Sequence, residues 1–258
     1  MSRLRAKCPF CKTFTAVAMG PDYQCHACGA EFGAGLVRVP RAWGKGGEGM
    51  AEAAGLELPY PEAAVIAEDT LGDQHLVLAS ELPERPLVLG GCCCSHVGAV
   101  EGLAARHGRL ALVWIDAHGD LNTPQSSPSG NEWGMPLRMI VDSGAVRPED
   151  VALVAARDLD PPERDFIRDS GINSGKDAVQ RALDEVDCVY VALDFDGLDQ
   201  DEVSAFMPVP DGLTVAETES LLRGIASDAA VVGAGFTGLL PDARNLEPAV
   251  RLGAALGL

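Results

Sequence analysis

The stretch LALVWIDAHGDLNTPQSSPSGNEWGMP occupies residues 110–136. Its first six residues are apolar and read as a buried parallel strand. Asp116, His118 and Asp120 stand at the strand's end. Alternate residues of an extended chain point the same way, so the three side chains are expected to converge. A second apolar run, 188–193, ends in Asp194 and Asp196 with the same spacing. Four carboxylates and one imidazole gathered at two strand ends need a cation to hold them together. An oxygen-rich set of this kind suits Mn²⁺, and the single His keeps other divalent metals in play. The bland alternative is a group of solvated loop acids.

Apolar strand-like runs recur at 87–89, 110–115, 151–156, 188–193 and 229–234. Helix-like stretches lie near 96–107, 135–143, 162–170, 177–184, 214–226 and 246–257. Strand and helix in alternation predict an α/β fold built on a parallel sheet covered on both faces. Ligands in such folds sit beyond the carboxyl ends of the strands, where both acidic clusters fall. A third strand end carries LVLGG followed by Cys92, Cys93, Cys94, Ser95 and His96. One thiolate of this turn, with Cys93 favoured, can reach the same cleft. Small packing residues are the alternative, because unligated Cys is often buried. Cys188 reads as core. Weaker strand signals occur at 65–66 and 75–79.

The head of the chain is different. Residues 8–28 read CPFCKTFTAVAMGPDYQCHAC, in which thirteen residues separate the pair Cys8/Cys11 from the pair Cys25/Cys28. Each pair aims two thiolates at one ion, and the four complete a tetrahedral structural Zn²⁺ site. So small a module buries little, so the metal would supply much of its folding energy. A redox dithiol is the competing use. His26 reads as a bystander. The expected organisation is a zinc ribbon over 1–43, a Gly-rich linker at 44–49 and an α/β body over 50–258. The formal charge of −18 argues against general nucleic-acid binding. Residues 1–45 carry seven Lys/Arg against two Asp/Glu, an excess of +5 that leaves −23 for the rest. A basic head on an acidic body can dock on that body or meet a separate acidic protein partner. No run is long enough to span a bilayer, and residues 1–10 lack a signal peptide's apolar core, so a cytoplasmic protein is expected.

Taken together, GGCCC (90–94), DAHGD (116–120) and ALDFDGLDQ (192–200) resemble the GGDHS, DAHxD and SxDxDxxDP segments of the arginase/ureohydrolase family. The resemblance runs from about residue 87 to 242. It implies a three-layer arginase-like fold, here preceded by the small ribbon. It also implies a metal-dependent C–N hydrolase with two Mn²⁺ ions sharing a bridging hydroxide. By position, Asp116 and Asp194 would bridge. His118 and Asp196 would complete one ion's shell, and Cys93 and Asp120 the other's. Asp120 and His118 are the expected catalytic pair. NTPQSSPSGNEWG (122–134) resembles the arginase substrate loop, so Asn122 and Ser129 would hold an α-carboxylate. ARDLDPPE (156–163) resembles the stretch whose acid, here Asp160, faces an α-ammonium. These residues imply a small α-amino-acid substrate, although the same types also cap turns. A homo-oligomer is expected.

The departures carry information too. Cys93 stands where the family has His, and a thiolate disfavours Mn²⁺ relative to Zn²⁺ or Fe²⁺. That side of the site is therefore expected to be weak, empty or filled by another divalent ion. Trp133 replaces a proton-shuttling His, and indole shuttles no protons near neutral pH. Gly238 replaces the Glu that pairs with the guanidinium, leaving Asp242 or Glu247 as conceivable substitutes. Plain arginine therefore fits poorly. An N-hydroxylated guanidine such as N-hydroxyarginine, with its lower pKa, fits better. The competing reading is a catalytically silent arginase-fold protein whose ribbon binds a partner. The family's usual first βα segment is not evident, and the ribbon is expected to cover the edge left by its loss.

Overall fold

Four short strands follow the first four residues of the chain: β1 (Arg5–Ala6), β2 (Ala16–Met19), β3 (Asp22–Cys25) and β4 (Glu31–Phe32). The computed structural model describes residues 5–258; the part of the expected ribbon at 1–4 lies outside the described residues. The four strands pair antiparallel in chain order. Their apolar cluster is small: Ala6, Cys8, Ala16, Tyr23, Cys25 and Phe32, joined by Ala63 from the body. A cluster in which two members are thiols has little to bury, as expected of a module organised around an ion.

The next strand corrects the expected boundary. β5 (Gly35–Val39), assigned from sequence to the ribbon, lies inside the main sheet beside a strand fifty residues further on. Leu36, Val37 and Val39 are fully buried, which suits a strand covered on both faces. The Gly-rich stretch 44–49 is not a linker between separate bodies, since it leads directly into α1 (Glu48–Ala53) and packs on Trp133. β6 (Glu62–Val65) follows, so β5, α1 and β6 supply the opening segment that the sequence left unseen.

Beyond it come α2 (Leu71–Glu81), β7 (Pro86–Gly90), α3 (Ser95–His107), β8 (Ala111–Ile115), α4 (Pro136–Ser143) and β9 (Val151–Val154). The chain continues through α5 (Pro161–Ser170), β10 (Asn173–Ser174), α6 (Ala178–Ala182), β11 (Cys188–Asp194), α7 (Val215–Asp228), β12 (Ala230–Thr237) and α8 (Leu246–Ala255). Residues 75–79, a weak strand signal, belong to helix α2 instead. Thr70 caps that helix by accepting from Asp73 N, and Gln74 and Leu78, one turn apart, are its buried face. Among the described residues the sheet runs β10-β9-β8-β11-β12-β7-β5-β6, and every pairing is parallel.

Two apolar layers, one on each face, fill the space between sheet and helices. Val113 and Val191 point into one layer, while Leu112, Trp114 and Tyr190 point into the other, as alternation along a strand requires. The ribbon touches the outer edge at one point: Lys7 and Glu62 exchange two backbone hydrogen bonds of 2.9 Å at the start of strand β6, while Val65 at its end is exposed. No helix among the described residues is long and apolar enough to cross a membrane.

Candidate metal centre and substrate cleft

The carboxyl ends of β7, β8, β11 and β12 meet at one cavity of about 260 Å³. Cys93, Asp116, His118, Asp120, Asp194, Asp196 and Gly238 all line it. Cys93, Asp116 and Asp120 place one donor atom each within 4.8 Å of one another, and Asp116, His118 and Asp196 do the same. Asp116 belongs to both groups. Asp194 joins through Cys93, whose thiol lies 3.0 Å from Asp194 Oδ2. The six residues expected at the cleft are thus brought together.

The means of convergence differs from simple strand alternation. β8 stops at Ile115, and Asp120 adopts φ 51°, a left-handed conformation uncommon for a residue with a side chain. That turn aims Asp120 back toward Asp116. Trp114 Nε1 donates to Asp116 Oδ2 at 3.1 Å, and His118 N donates to Asp116 Oδ1 at 2.7 Å. Asp194 ends β11 and accepts from Asp196 N at 2.9 Å, while Asp196 Oδ1 accepts from Ala117 N at 3.0 Å. The ligand candidates are therefore oriented by backbone donors from neighbouring strand ends.

Electrostatics shows what the cluster lacks. Burial, then the Asp116 charge, pushes Asp120 well above the carboxylate range. Burial and Asp194 do the same to Asp196, and burial and Asp116 raise Asp194 to about 6. The Cys93 thiol is driven far up by burial and then by Asp194, Asp120 and Asp116. Burial works against a charged His118, yet hydrogen bonding to Asp116 and Asp196 holds it up at about 12. His118 Nδ1 sits 3.0 Å from Asp196 Oδ2. Asp120 Oδ2 is buried with no hydrogen-bond partner. A crowd of buried acids with an orphaned oxygen fits a divalent cation, which would displace the protons these groups otherwise retain. Carboxylates with one imidazole suit Mn²⁺, and the thiolate tilts its own side toward softer ions.

Behind the donors lies a buried relay that the sequence did not single out. Thr237, at the end of β12, lies 3.2 Å from the Cys93 thiol and donates to Asp194 Oδ2 at 3.3 Å. His96 bridges Thr237 Oγ1 and Tyr190 Oη, each at 3.1 Å. Burial lowers the His96 pKa to about 3, so the ring is a neutral brace. Its position three residues after Cys93 on a buried helix start was the available clue.

The polar end of the cleft holds the other expected residues. Asn122 Nδ2 donates to Asp160 Oδ2 at 2.9 Å, and Asn122 Oδ1 accepts from Ser126 Oγ at 2.8 Å. Ser129 is exposed on the same loop and accepts from Asn131 N. Asp160 is the N-cap residue of α5, so its turn-capping use is real, yet it also lines the cavity beside Asp158. Glu163, unforeseen, accepts from Leu121 N at 2.9 Å and Asp160 N at 2.8 Å and fixes both segments. Met50, Phe206 and Met207 were also unforeseen. Phe206 and Met207 come from an irregular segment with no periodic signal. Asp242 caps a turn at 243–245 and Glu247 pairs with Arg251; neither lines the cavity, so neither replaces the acid absent at 238.

In the ribbon, Cys8 and Cys28 thiols lie 3.7 Å apart, and Cys11 and Cys25 thiols 3.5 Å apart. All four fall within one ligand-sized group. The edge of a tetrahedron with arms of about 2.3 Å is about 3.8 Å, so four thiolates at these spacings fit a Zn²⁺ ion. The Thr15 hydroxyl, 3.2 Å away, is the main cause that lowers Cys25 to about 6.

The Arginase family model matches residues 62–257. The chain belongs to the arginase family. It is 34% identical over 194 residues to the arginase of Bacillus caldovelox, a match covering 64% of this chain and 65% of that one. An arginase of Staphylococcus aureus is 35% identical over 164 residues, covering 54% of each chain. The chain thus spans roughly half to two thirds of the curated arginases it matches. The crystal structure of Bacillus subtilis arginase superposes with a TM-score of 0.73 at 25% identity, covering 86% of this chain and 97% of that one.

Proposed function

We propose that this arginase-family chain hydrolyses a linear C–N bond of guanidine or amidine type on a small α-amino acid. The observation that carries the reading is the pair of donor groups sharing Asp116 at the floor of a cavity whose other end is polar. The relationship to arginases supports the reaction class. Among the described residues the lining holds no Lys or Arg, and Asp158, Asp160 and Glu163 make its polar end acidic. An ammonium is therefore welcome there and a phosphate or second carboxylate is not. Asn122 and Ser129 remain as neutral donors for an α-carboxylate, with Asp160 facing the ammonium.

Divalent cations held by Cys93, Asp116, Asp120, Asp194, Asp196 and His118 would supply a lowered water pKa and a fixed line of attack. Mn²⁺ suits the His118 side, and Zn²⁺ or Fe²⁺ suits the Cys93 side. With one carboxyl oxygen of Asp120 turned to a cation, its other oxygen would accept the proton of the attacking water. The water oxygen bonds to the central carbon, one C–N bond breaks with its electron pair on nitrogen, Asp120 returns the proton to that nitrogen, and the second water proton leaves the oxygen for the same nitrogen or solvent as the C=O forms. Trp133 can donate no such proton. Gly238 offers the substrate no counter-charge, so an N-hydroxyguanidine such as N-hydroxyarginine fits better than arginine.

A structural Zn²⁺ in the ribbon, a homo-oligomeric assembly and a cytoplasmic location complete the reading. The competing view, a silent arginase-fold protein using its ribbon to bind a partner, draws on the exposed Phe10, Phe14 and Met19 of that module. Urea and hydroxyurea release from arginine and N-hydroxyarginine, with Mn²⁺, Zn²⁺, Fe²⁺ or Co²⁺ added in turn, separates the two. Hydroxyurea release above urea release is expected. Release of neither under any metal removes the hydrolase reading.

A further inference from the structure

One wall of the cleft is apolar, and its construction is unusual. Trp133 packs on Gly44 and Gly47: a Cβ at Gly44 would collide with the indole ring, and one at Gly47 would collide with Ala42 and crowd the ring. Only bare backbone lets the two segments approach so closely. The approach is pinned by Lys45 N donating to Asn131 Oδ1 at 3.1 Å and Glu132 N donating to Trp43 O at 3.0 Å. Phe206 meets Trp133 edge to face, with centroids 5.5 Å apart at 78°. Both aromatics pack on the cluster of Met50, Cys92 and Cys94. Cys92 and Cys94 flank Cys93 in the chain, so this wall adjoins the Cys93 side of the donors.

We propose that Trp133, backed by Phe206 and Met50, is the specificity-determining residue of the cleft and seats a small substituent on the terminal nitrogen of the reacting group. The class selected is N-substituted guanidines, N-hydroxy or N-methyl, over the unsubstituted guanidinium. This rests on the hydrolase reading above. A bare guanidinium brings N–H donors that need acceptors; Gly238 has no side chain to offer one, its carbonyl already accepts from Phe206 N, and the wall is apolar. A methyl removes a donor and covers apolar surface, while a hydroxyl exchanges an N–H for an O–H and lowers the group's pKa, so its neutral form carries one donor fewer. Attraction of the cation to the indole face is the weaker effect, because it leaves those donors unpaired.

The test compares arginine, Nω-hydroxyarginine and Nω-methylarginine on Mn²⁺-loaded protein, by turnover and by calorimetric binding. Both substituted compounds are expected to exceed arginine about tenfold in kcat/KM and in affinity. Trp133→Ala should shrink that ratio about tenfold, mainly through KM. Phe206→Leu, a milder change, should shrink it in the same direction and serves if Trp133→Ala does not fold. A wild-type preference for arginine, or an unchanged ratio in both variants, overturns the assignment. Discriminating binding without turnover of any compound sinks the hydrolase reading and upholds the role of Trp133. Equal binding of all three, or binding of none, sinks that role.

Discussion

Gly238 and Asp194 are in such close approach that a Cβ on the glycine would overlap the Asp194 carboxylate. The glycine also holds φ 67°, where a side chain is strained whatever the space. The acid missing from this position therefore cannot be put back by one substitution. Gly238→Glu should displace Asp194, lower cleft metal affinity about tenfold or more, and confer no arginine hydrolysis. Mn²⁺ titration followed by calorimetry, with a urea assay, checks both parts. Brisk urea release by the variant would contradict the packing argument.

Cys93→His should shift the preference of the cleft toward Mn²⁺, because imidazole replaces a soft thiolate. The expected change is about tenfold in the ratio of Mn²⁺ to Zn²⁺ retained after gel filtration, read by elemental analysis. Cys93→Ser should retain less of either ion at that side. An unchanged ratio in both variants would mean that the thiol binds no metal.

Burial, then the charge of Asp116, raises Asp194 to about 6, while Asp120 and Asp196 are pushed up in the same direction. For a raised carboxyl, the stability contribution is fully present below the unfolded value of about 4 and is lost as pH rises through about 6. A bound cation takes over from the departing protons. The rise in Tm on adding Mn²⁺ should therefore be small near pH 4 and grow through about pH 6. Thermal scans across that range decide the matter, and a gain that shrinks with rising pH would refute it.

Replacing Cys8 or Cys25 by Ser should remove one Zn²⁺ per chain and loosen the ribbon, since the module's own apolar cluster is small. Loss of order at Lys7 should then unprotect Glu62, its backbone partner. Hydrogen exchange over 62–65 is the measurement. Full protection in a zinc-free variant would show that the ribbon stands without its ion.

Arg109 grips the buried Asp150 with two parallel bonds of 2.9 and 2.8 Å. Arg109→Ala leaves that carboxylate buried without its partner and should lower stability, by less than in the fully buried case because the arginine is partly exposed. Adding Asp150→Asn should recover part of the loss. Chemical denaturation of the three proteins tests the coupling, and a double variant worse than the sum of the singles would count against it.

The strands 111–115, 188–194 and 230–237 were legible because they are buried on both faces and read as unbroken apolar runs. The acids at the ends of the first two followed from the same pattern. β5 was missed because Leu36, Val37 and Val39 come directly after the paired cysteines and read as part of the small module. Residues 75–79 read as strand because Leu76 to Ala79 form an unbroken apolar run, too short to show a helical period; the helix is marked only by its cap at Thr70. The apolar wall was hidden for another reason. Phe206 sits in irregular backbone, and the seat of Trp133 is two glycines that read as a spacer. Contacts made by the absence of side chains leave no periodic trace.

The Cys93 thiol meets partners 101 residues away at Asp194 and 144 residues away at Thr237. Contacts so distant in sequence close late, after the central strands have found their neighbours. No fragment ending before residue 194 carries the complete donor set. Ion capture in the cleft would thus report that strands far apart in the chain have found one another, whereas the four ribbon thiols, all present by residue 28, would be able to gather around an ion much earlier.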